Sequence, residues 1–262
     1  MNFFQINSFI KHFFTSTKKG HGVHSPFVYQ LCEQVFYNND AYYCFNEIEQ
    51  IRHQLLTNNT KINVKDYGAG SKKFSDNVRA ISDIAKYGIS TKKQNQILFK
   101  LINYLNCKTI IELGTSLGIN TLYLASTNTN NKIFSIEADK NLCQIALNNL
   151  KQLNLTNTTL INDTFENALP NLLSQLNQID LIYVDGNHTF EATINYFNLI
   201  LPKVNYNTVI IFDDIYWSSA MQKTWQQIIQ NKNIKCSIDA FYFGFVFFNK
   251  DFIEPIHLKI KI

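Results

Sequence analysis

Residues 110–125 of this 262-residue chain read IIELGTSLGINTLYLA. An apolar run ends at Gly114, a short turn carries Gly118 and an amphipathic pattern follows, which predicts a strand, a tight turn and a helix. Glycines in such a turn allow the backbone to approach a ligand closely or to adopt a positive φ. The dinucleotide fingerprint GxGxxG would need glycines where this chain has Ser116 and Ile119. The turn is therefore not typical of a pyrophosphate site.

From about residue 109 onward, short β-rich runs alternate with longer helical patterns. This alternation is typical of a parallel sheet with helices on both faces, and continuous apolar runs fit strands that are buried on both sides. The predicted strands cover residues 109–113, 132–136, 159–162, 180–184 and 209–212. Residues 235–248 instead predict an antiparallel hairpin at the sheet edge. The sequence thus predicts an α/β fold with a Rossmann-like, doubly wound sheet.

The first 90 residues differ in character and predict a helical extension, with the main domain over residues 91–262. Aromatic and aliphatic residues near the start recur at helical spacing, and we expect that helix to pack its aromatic side on the main domain rather than on a membrane surface. Further helices are predicted from Ser25–Pro26, where an N-cap precedes proline, and over residues 47–56. Residues 66–71, DYGAGS, form a second glycine-rich stretch that no acidic strand end follows, so we interpret it as a loop.

The composition excludes several classes of protein. Hydrophobic residues make up 45% of the chain, and no apolar run approaches the roughly 20 residues of a membrane span. Five cysteines without a CxxC pair argue against a disulfide framework or structural zinc, so we expect a cytoplasmic protein with no membrane partner. The net charge is +4, and residues 1–93 carry 12 Lys and Arg against 7 Asp and Glu. That excess favours a solvated basic face, with RNA binding as the alternative.

Acidic residues follow the next two predicted strands. Glu137 ends the second strand, 19 residues beyond Gly118, and Asp163 follows the third. A carboxylate at the end of a second strand can accept hydrogen bonds from both hydroxyls of a ribose, and ligands of open α/β sheets collect at these strand ends. The alternative for each residue is a helix cap. Together the two positions predict a nucleoside site.

Carboxylates also end the fourth and fifth predicted strands. Asp185 follows the fourth strand and precedes His188, and Asp213 and Asp214 follow the fifth. Three neighbouring anions repel one another, so we expect a divalent cation that takes oxygen ligands, Mg²⁺ first. The alternative is that one residue of the pair caps the next helix. His188 is the candidate general base, with a structural role as its alternative.

Two of these patterns resemble known enzymes. The motif ExGxxxG, from Glu112 to Gly118, is similar to the first motif of class I S-adenosylmethionine-dependent methyltransferases. The stretch DGNHTFE from Asp185, followed by a helix and the Asp213–Asp214 pair, resembles the metal-dependent O-methyltransferases of the catechol and macrolide-sugar type. The resemblance covers about residues 90–248. It implies a seven-stranded sheet of order 3-2-1-4-5-7-6 whose last strand is antiparallel.

The resemblance also implies a role for each matching residue. It places the methionine part of S-adenosylmethionine on the glycine turn, the ribose on Glu137, the adenine on Asp163 and Mg²⁺ on the later carboxylates. The implied cofactor-binding residues are Glu112, Gly114, Thr115, Ser116, Gly118, Glu137, Asp163 and Asp185. The implied metal ligands are Asp185, Asp213 and Asp214, and the implied catalytic residues are Asp185 and His188.

These roles predict an S-adenosylmethionine-dependent methyltransferase that O-methylates a hydroxyl on a small molecule with Mg²⁺-assisted deprotonation. Two alternatives stay open. One is a tRNA or RNA methyltransferase that holds its substrate with the basic extension. The other is a non-catalytic module that binds S-adenosylmethionine. The sequence does not identify the acceptor, and it leaves a homodimer open.

Overall fold

The computed structural model describes residues 2–18, 24–65 and 77–262, so the predicted loop at residues 66–71 lies outside the described residues. The helices in these ranges are α1 (Phe3–Thr15), α2 (Pro26–Leu31), α3 (Tyr43–Thr57), α4 (Ile81–Tyr87), α5 (Lys92–Leu105), α6 (Ile119–Ala125), α7 (Lys140–Gln152), α8 (Phe165–Gln175), α9 (Phe190–Ile200) and α10 (Ser219–Ile228). The strands are β1 (Thr17–Lys18), β2 (Lys61–Asn63), β3 (Val78–Ala80), β4 (Thr109–Leu113), β5 (Lys132–Ile136), β6 (Thr158–Ile161), β7 (Leu181–Val184), β8 (Val209–Asp213), β9 (Cys236–Asp239), β10 (Phe243–Phe247) and β11 (Ile256–Lys261). None of these helices is long and apolar enough to cross a membrane.

The chain divides into two compact units. One comprises Asn39–Gln175, and we call it the central unit; the other comprises Met1–Asn38 with Leu176–Ile262, and we call it the split unit. By packing alone, α3 and α4 belong with the central unit, whereas α1 and α2 belong with the split unit. The predicted boundary near residue 90 between an extension and a main domain stays a prediction.

Three parallel strands form the sheet of the central unit. β5 pairs with β4 on one side and with β6 on the other, which confirms the predicted order of the first three strands. β4 is buried from Ile110 to Leu113, as expected for a strand that is covered on both faces. The helix before it, α5, begins at a capping box of Thr91 and Gln94 and ends at Asn106 in the left-handed conformation. These caps fix where α5 ends and β4 begins.

The split unit contains the last four predicted strands and two more. β7 pairs in parallel with β8, and β10 lies antiparallel between β8 and β9, which confirms their predicted order. The predicted position of the hairpin at the sheet edge is wrong, because β11 pairs in parallel with β9 and β1 pairs in parallel with β11. β1 has only two residues and gives no pattern, whereas β11 (IHLKIK) alternates apolar and polar residues, a strand signal that was not used in the prediction.

Two of the helices predicted in the first 90 residues are confirmed, and one packing prediction is wrong. Ser25 caps α2 with Pro26 at its first position, and α3 covers residues 47–56. Apart from Phe9, whose ring centre lies 5.0 Å from that of Phe241, the aromatic side of α1 is not packed as expected, since Phe3 and Phe14 are 87% and 80% exposed. A hydrophobic stripe shows that a helix is amphipathic, but it does not show which side faces the protein.

Candidate functional site

The glycine turn between β4 and α6 depends on residues with positive φ. Gly114, Ser116 and Gly118 have φ angles of 104°, 49° and 82°. At Gly118 a Cβ atom would also lie 2.8 Å from the Cβ of Ala146 on α7. Glycine is therefore required at position 118 both by the backbone conformation and by the packing of α7.

Glu112, at the end of β4, is a fully buried carboxylate. Its Oε1 accepts a hydrogen bond from Asn120 Nδ2 (2.7 Å), and its Oε2 accepts from Thr121 Oγ1 (2.6 Å) and Ser135 Oγ (2.5 Å). Burial raises the pKa of this carboxyl to about 7, although the three hydrogen bonds act in the opposite direction. Ser135 Oγ also lies 2.5 Å from Thr115 Oγ1 in the turn. Because Glu112 has no exposed surface, we assign it to holding the turn rather than to contacting a ligand.

A chain of hydrogen bonds connects Glu112 with α3. Arg52 Nη2 donates to Asn95 Oδ1 (2.7 Å), and Asn95 Nδ2 donates to Asn120 Oδ1 (2.7 Å). Arg52 Nη1 also donates to the Ser90 carbonyl (2.8 Å). Asn95 is fully buried and Asn120 nearly so, so these bonds are shielded from water and geometrically restricted. The guanidinium of Arg52 is thereby linked to the glycine turn.

Glu137 follows β5 and binds the turn directly. Its Oε2 accepts from Ser116 N (2.9 Å), and its Oε1 accepts from Asp139 N (2.9 Å). Burial raises the pKa of Glu137, against the effect of its backbone hydrogen bonds. A carboxylate oxygen has two lone pairs, so each oxygen retains capacity for one further hydrogen bond.

Asp139 caps α7, and Asp163 lies just before α8. Asp139, which the sequence analysis did not select, accepts from Asn141 N (2.8 Å) and Leu142 N (3.0 Å) through Oδ1. Asp163 accepts from Thr164 N (2.7 Å) through its Oδ1. This bond to the adjacent N–H is not the contact with the second or third helical residue that defines a cap, so the cap alternative for Asp163 stays a prediction. Its contact with adenine stays a prediction.

In the split unit, β7 and β8 bring two carboxylates to one hydroxyl. Tyr183 Oη lies 2.6 Å from Asp213 Oδ2 and 3.2 Å from Asp185 Oδ2. Asp213 is buried, and its pKa lies well above the usual range because of that burial and of the negative charges of Asp185 and Asp214. Asp214 adopts a φ of 53°, and burial raises its pKa as well. The three carboxylates that the sequence grouped together do lie close enough to affect one another.

His188 lies beside Asp185 in the loop after β7. Its Nε2 is 3.5 Å from Asp185 Oδ1, and its ring centroid is 6.1 Å from that of Trp217. Both side chains of the His188–Asp185 pair are about a quarter exposed, in contrast to buried Asp213. The pair therefore places an imidazole beside a carboxylate where solvent reaches both side chains.

The three carboxylates suit a hard divalent cation by donor type. By arrangement they do not form such a site, since no three His, Cys, Asp or Glu side chains within residues 2–18, 24–65 and 77–262 are grouped to hold a metal ion. The Tyr183 hydroxyl contributes to this, because it contacts the Oδ2 atoms of both Asp185 and Asp213. The type of donor atom therefore suits a metal ion, whereas the arrangement of these side chains does not.

The sequence analysis missed two kinds of residue. Tyr183 stands two positions before Asp185 along the end of β7, and side chains two apart on a strand point to the same face, so a pattern search could have found it. Arg52, Asn95 and Asn120 left no comparable signal. They are far apart in the sequence, and only the fold joins them.

Comparison with known proteins agrees with this architecture. Residues 111–215 match a family model described as a methyltransferase domain. The structure of the chain is similar to that of the methyltransferase PaMTH1 from Podospora anserina in its S-adenosylhomocysteine-bound form, with a TM-score of 0.61 and 15% sequence identity. That likeness covers 82% of this chain and 91% of the other protein.

Two further solved structures are similar to this chain. The O-methyltransferase TomG from Streptomyces achromogenes, bound to S-adenosylmethionine, matches with a TM-score of 0.57 and 13% identity over 85% of this chain and 95% of that protein. An O-methyltransferase from Bacillus cereus, bound to S-adenosylhomocysteine, matches with a TM-score of 0.51 and 17% identity over 80% and 91% of the two chains. At these identities the likeness establishes a shared Rossmann-like α/β fold.

Proposed function

We propose that this chain, which carries a class I methyltransferase domain, is an S-adenosylmethionine-dependent O-methyltransferase that acts on a hydroxyl of a small molecule. The observation that carries the proposal is the turn at residues 114–118, which lies within the matched segment. Its glycines adopt the positive φ angles that the turn needs, and Ser116 N is held by Glu137, the acidic residue after the next strand.

The cofactor is assigned to residues of the central unit. The backbone at Gly114 and Gly118 would hold its methionine part, the spare lone pairs of Glu137 would accept from the ribose hydroxyls, and Asp163 would contact the adenine. Glu112 keeps the turn in place from within the core. PaMTH1 and TomG were crystallised with S-adenosylhomocysteine and S-adenosylmethionine, which supports this choice of cofactor.

The acceptor is assigned to Asp185 and His188 in the split unit. Bound S-adenosylmethionine supplies a methyl group on a positively charged sulfur, and the acceptor oxygen displaces it to give a methyl ether and S-adenosylhomocysteine. His188 takes the hydroxyl proton, and the charge of Asp185, 3.5 Å away, stabilises the resulting imidazolium. Two of the similar proteins are named O-methyltransferases, which supports a hydroxyl as the acceptor.

We also propose that Mg²⁺ assists deprotonation of the acceptor hydroxyl. The support is the donor chemistry of Asp185, Asp213 and Asp214, together with the raised pKa of the buried Asp213, because a divalent cation would relieve the repulsion among these neighbouring charges. A cation bound there would lower the pKa of the acceptor hydroxyl.

The test separates cofactor binding from turnover. S-adenosylhomocysteine should raise the melting temperature of the wild-type chain, and calorimetry gives its Kd. Turnover is followed as S-adenosylhomocysteine release with a panel of hydroxylated aromatic compounds, including 3,4-dihydroxybenzoate. Asp185→Asn should lower turnover at least about 100-fold and change the Kd less than about twofold, while the surface variant Asp251→Asn should change neither. Equal loss of binding and turnover in Asp185→Asn would contradict the division of roles, and absence of any binding would refute the function.

A further inference from the structure

The side of α1 that faces solvent is apolar. The exposed fractions of its outward residues lie between 43% and 87%, and these residues are Phe3, Ile6, Ile10, Phe13 and Phe14. On a helix these positions fall within one face about 100° wide. We call this set the apolar face of α1. The opposite side carries His12, the buried residue of the helix.

Polar contacts fix this orientation. His12 Nε2 lies 3.0 Å from the Asp239 carbonyl oxygen and 3.1 Å from Asp239 Oδ1, with both side chains buried. Gln5 Nε2 donates to the Trp217 carbonyl at 3.4 Å. Turning the apolar face inward would break these contacts, and although Asp239 would keep its bonds from Tyr216 Oη and Phe241 N, buried His12 would lose its partner, which is costly. The exposure of the apolar face is therefore a property of the fold rather than of a frayed terminus.

The surroundings of the apolar face are basic. No aspartate or glutamate precedes Glu33 in the sequence, and Lys11 and Lys18 are exposed. Lys261, on β11, places its Nζ 3.0 Å from the centre of the Phe13 ring. The helix thus combines an aromatic side with flanking lysines.

We propose that α1 docks on an anionic phospholipid surface, with its apolar face in the boundary between headgroups and acyl chains. Aromatic and aliphatic residues on one side and lysines beside them are the features of a helix that lies in a membrane interface. A second copy of the chain fits this face less well, since two such helices side by side would bring their lysines together without acidic partners. The expectation of no membrane partner rested on the lack of a membrane-spanning run, which does not bear on a helix that lies on the membrane surface.

Co-sedimentation with vesicles tests this proposal, which does not depend on the methyltransferase activity. Wild-type protein should bind vesicles of phosphatidylcholine with 40% phosphatidylglycerol, bind pure phosphatidylcholine at least about fivefold more weakly, and lose affinity as salt rises. The double variant Phe3→Ser/Phe14→Ser should weaken binding to the anionic vesicles at least about tenfold. Its melting temperature should stay unchanged, because both side chains are exposed.

The matched control removes exposed aromatic residues elsewhere. Tyr43 and Tyr206 are 84% and 59% exposed, so Tyr43→Ser/Tyr206→Ser should leave vesicle binding unchanged. Equal loss of binding in the control, or no binding by the wild type, would overturn the proposal. Formation of a dimer that the Phe3→Ser/Phe14→Ser variant abolishes, measured by analytical ultracentrifugation, would overturn it as well, because the apolar face would then be covered by a second copy.

Discussion

Asn120 Nδ2 donates to Glu112 Oε1 at 2.7 Å, and this bond joins the glycine turn to the side chains of α5 and α3. The same asparagine accepts from Asn95 through its Oδ1. Asn120 thus uses both the oxygen and the nitrogen of its amide. A change at Glu112 or at Arg52, the two ends of this series of hydrogen bonds, should therefore affect the turn.

Glu112→Gln should remove one source of pH dependence from the stability. Burial raises the pKa of Glu112 to about 7 in the folded chain, above the value of about 4.5 in the unfolded chain. The folded state therefore binds this proton more tightly, and the free energy of unfolding should fall as pH rises from 4.5 to 7, by up to about 3 kcal/mol. The glutamine should show no such fall, because its amide does not titrate. It can still donate to Thr121 and Ser135 and accept from Asn120.

The measurement is urea unfolding of both proteins at pH 5 and pH 8. All other groups titrate alike in the two chains, so the difference between the two pH changes belongs to Glu112. An identical pH dependence in both proteins would show that this carboxyl keeps an ordinary pKa. A glutamine variant that binds S-adenosylhomocysteine as the wild type does would support an indirect, positioning role for this side chain.

Arg52→Met should weaken cofactor binding from a distance. The change removes the bonds that Arg52 donates to Asn95 Oδ1 and the Ser90 carbonyl, together with its ion pair with Glu49. We expect this to cost about 2 kcal/mol of stability and to loosen Asn120. The Kd for S-adenosylhomocysteine should rise about threefold to tenfold, measured by calorimetry at a temperature where the variant is fully folded. Lys93→Met, on the exposed side of α5, is the control. Stability lost without any change in Kd would show that Arg52 only supports the fold.

Strands and helices were predictable from the sequence where their own residues show a clear pattern of burial. β7 and β8 stand out because strands covered on both faces need continuous apolar runs, here LIYV and VIIF. The acidic residues at the strand ends stood out for a related reason, since carboxylates directly after apolar runs interrupt a clear pattern. Their contacts were not predictable. Asp163 could be a cap or a ligand contact, and the sequence contains no information that separates the two.

The orientation of α1 and the strands at the sheet edge were predicted incorrectly because both depend on tertiary packing. The orientation of α1 is set by contacts with residues far along the chain, among them His12 with Asp239, which are 227 residues apart. The two-residue strand β1 has no pattern of its own and pairs with the edge that β11 offers. Such features depend on residues that approach one another only after folding.

Turnover should require Mg²⁺ if the three carboxylates of the split unit bind a cation. We expect activity to disappear in excess EDTA and to return on addition of Mg²⁺, and we expect Mg²⁺ to raise the melting temperature of the wild type through binding to the folded state. Asp213→Asn removes one of the three negatively charged ligands, so the rise in melting temperature on addition of Mg²⁺ should vanish. Asp180→Asn, at a carboxylate before β7, is the control and should keep the shift. Full activity after EDTA treatment would assign the proton step to His188 and Asp185 without a metal.

Tyr183→Phe should strengthen Mg²⁺ binding if a cation and the Tyr183 hydroxyl compete for the same oxygens. The hydroxyl contacts Oδ2 of both Asp185 and Asp213, so the wild type must give up a hydrogen bond before these atoms can ligate. Loss of one hydrogen bond of ordinary strength corresponds to about a fivefold gain in affinity. Without the cation, the same variant should lose about 1 to 3 kcal/mol of stability, because the buried Asp213 loses its donor. Calorimetric titration of Mg²⁺ into both proteins decides the matter: weaker binding by the phenylalanine variant would mean that the hydroxyl supports the cation site instead of occupying it.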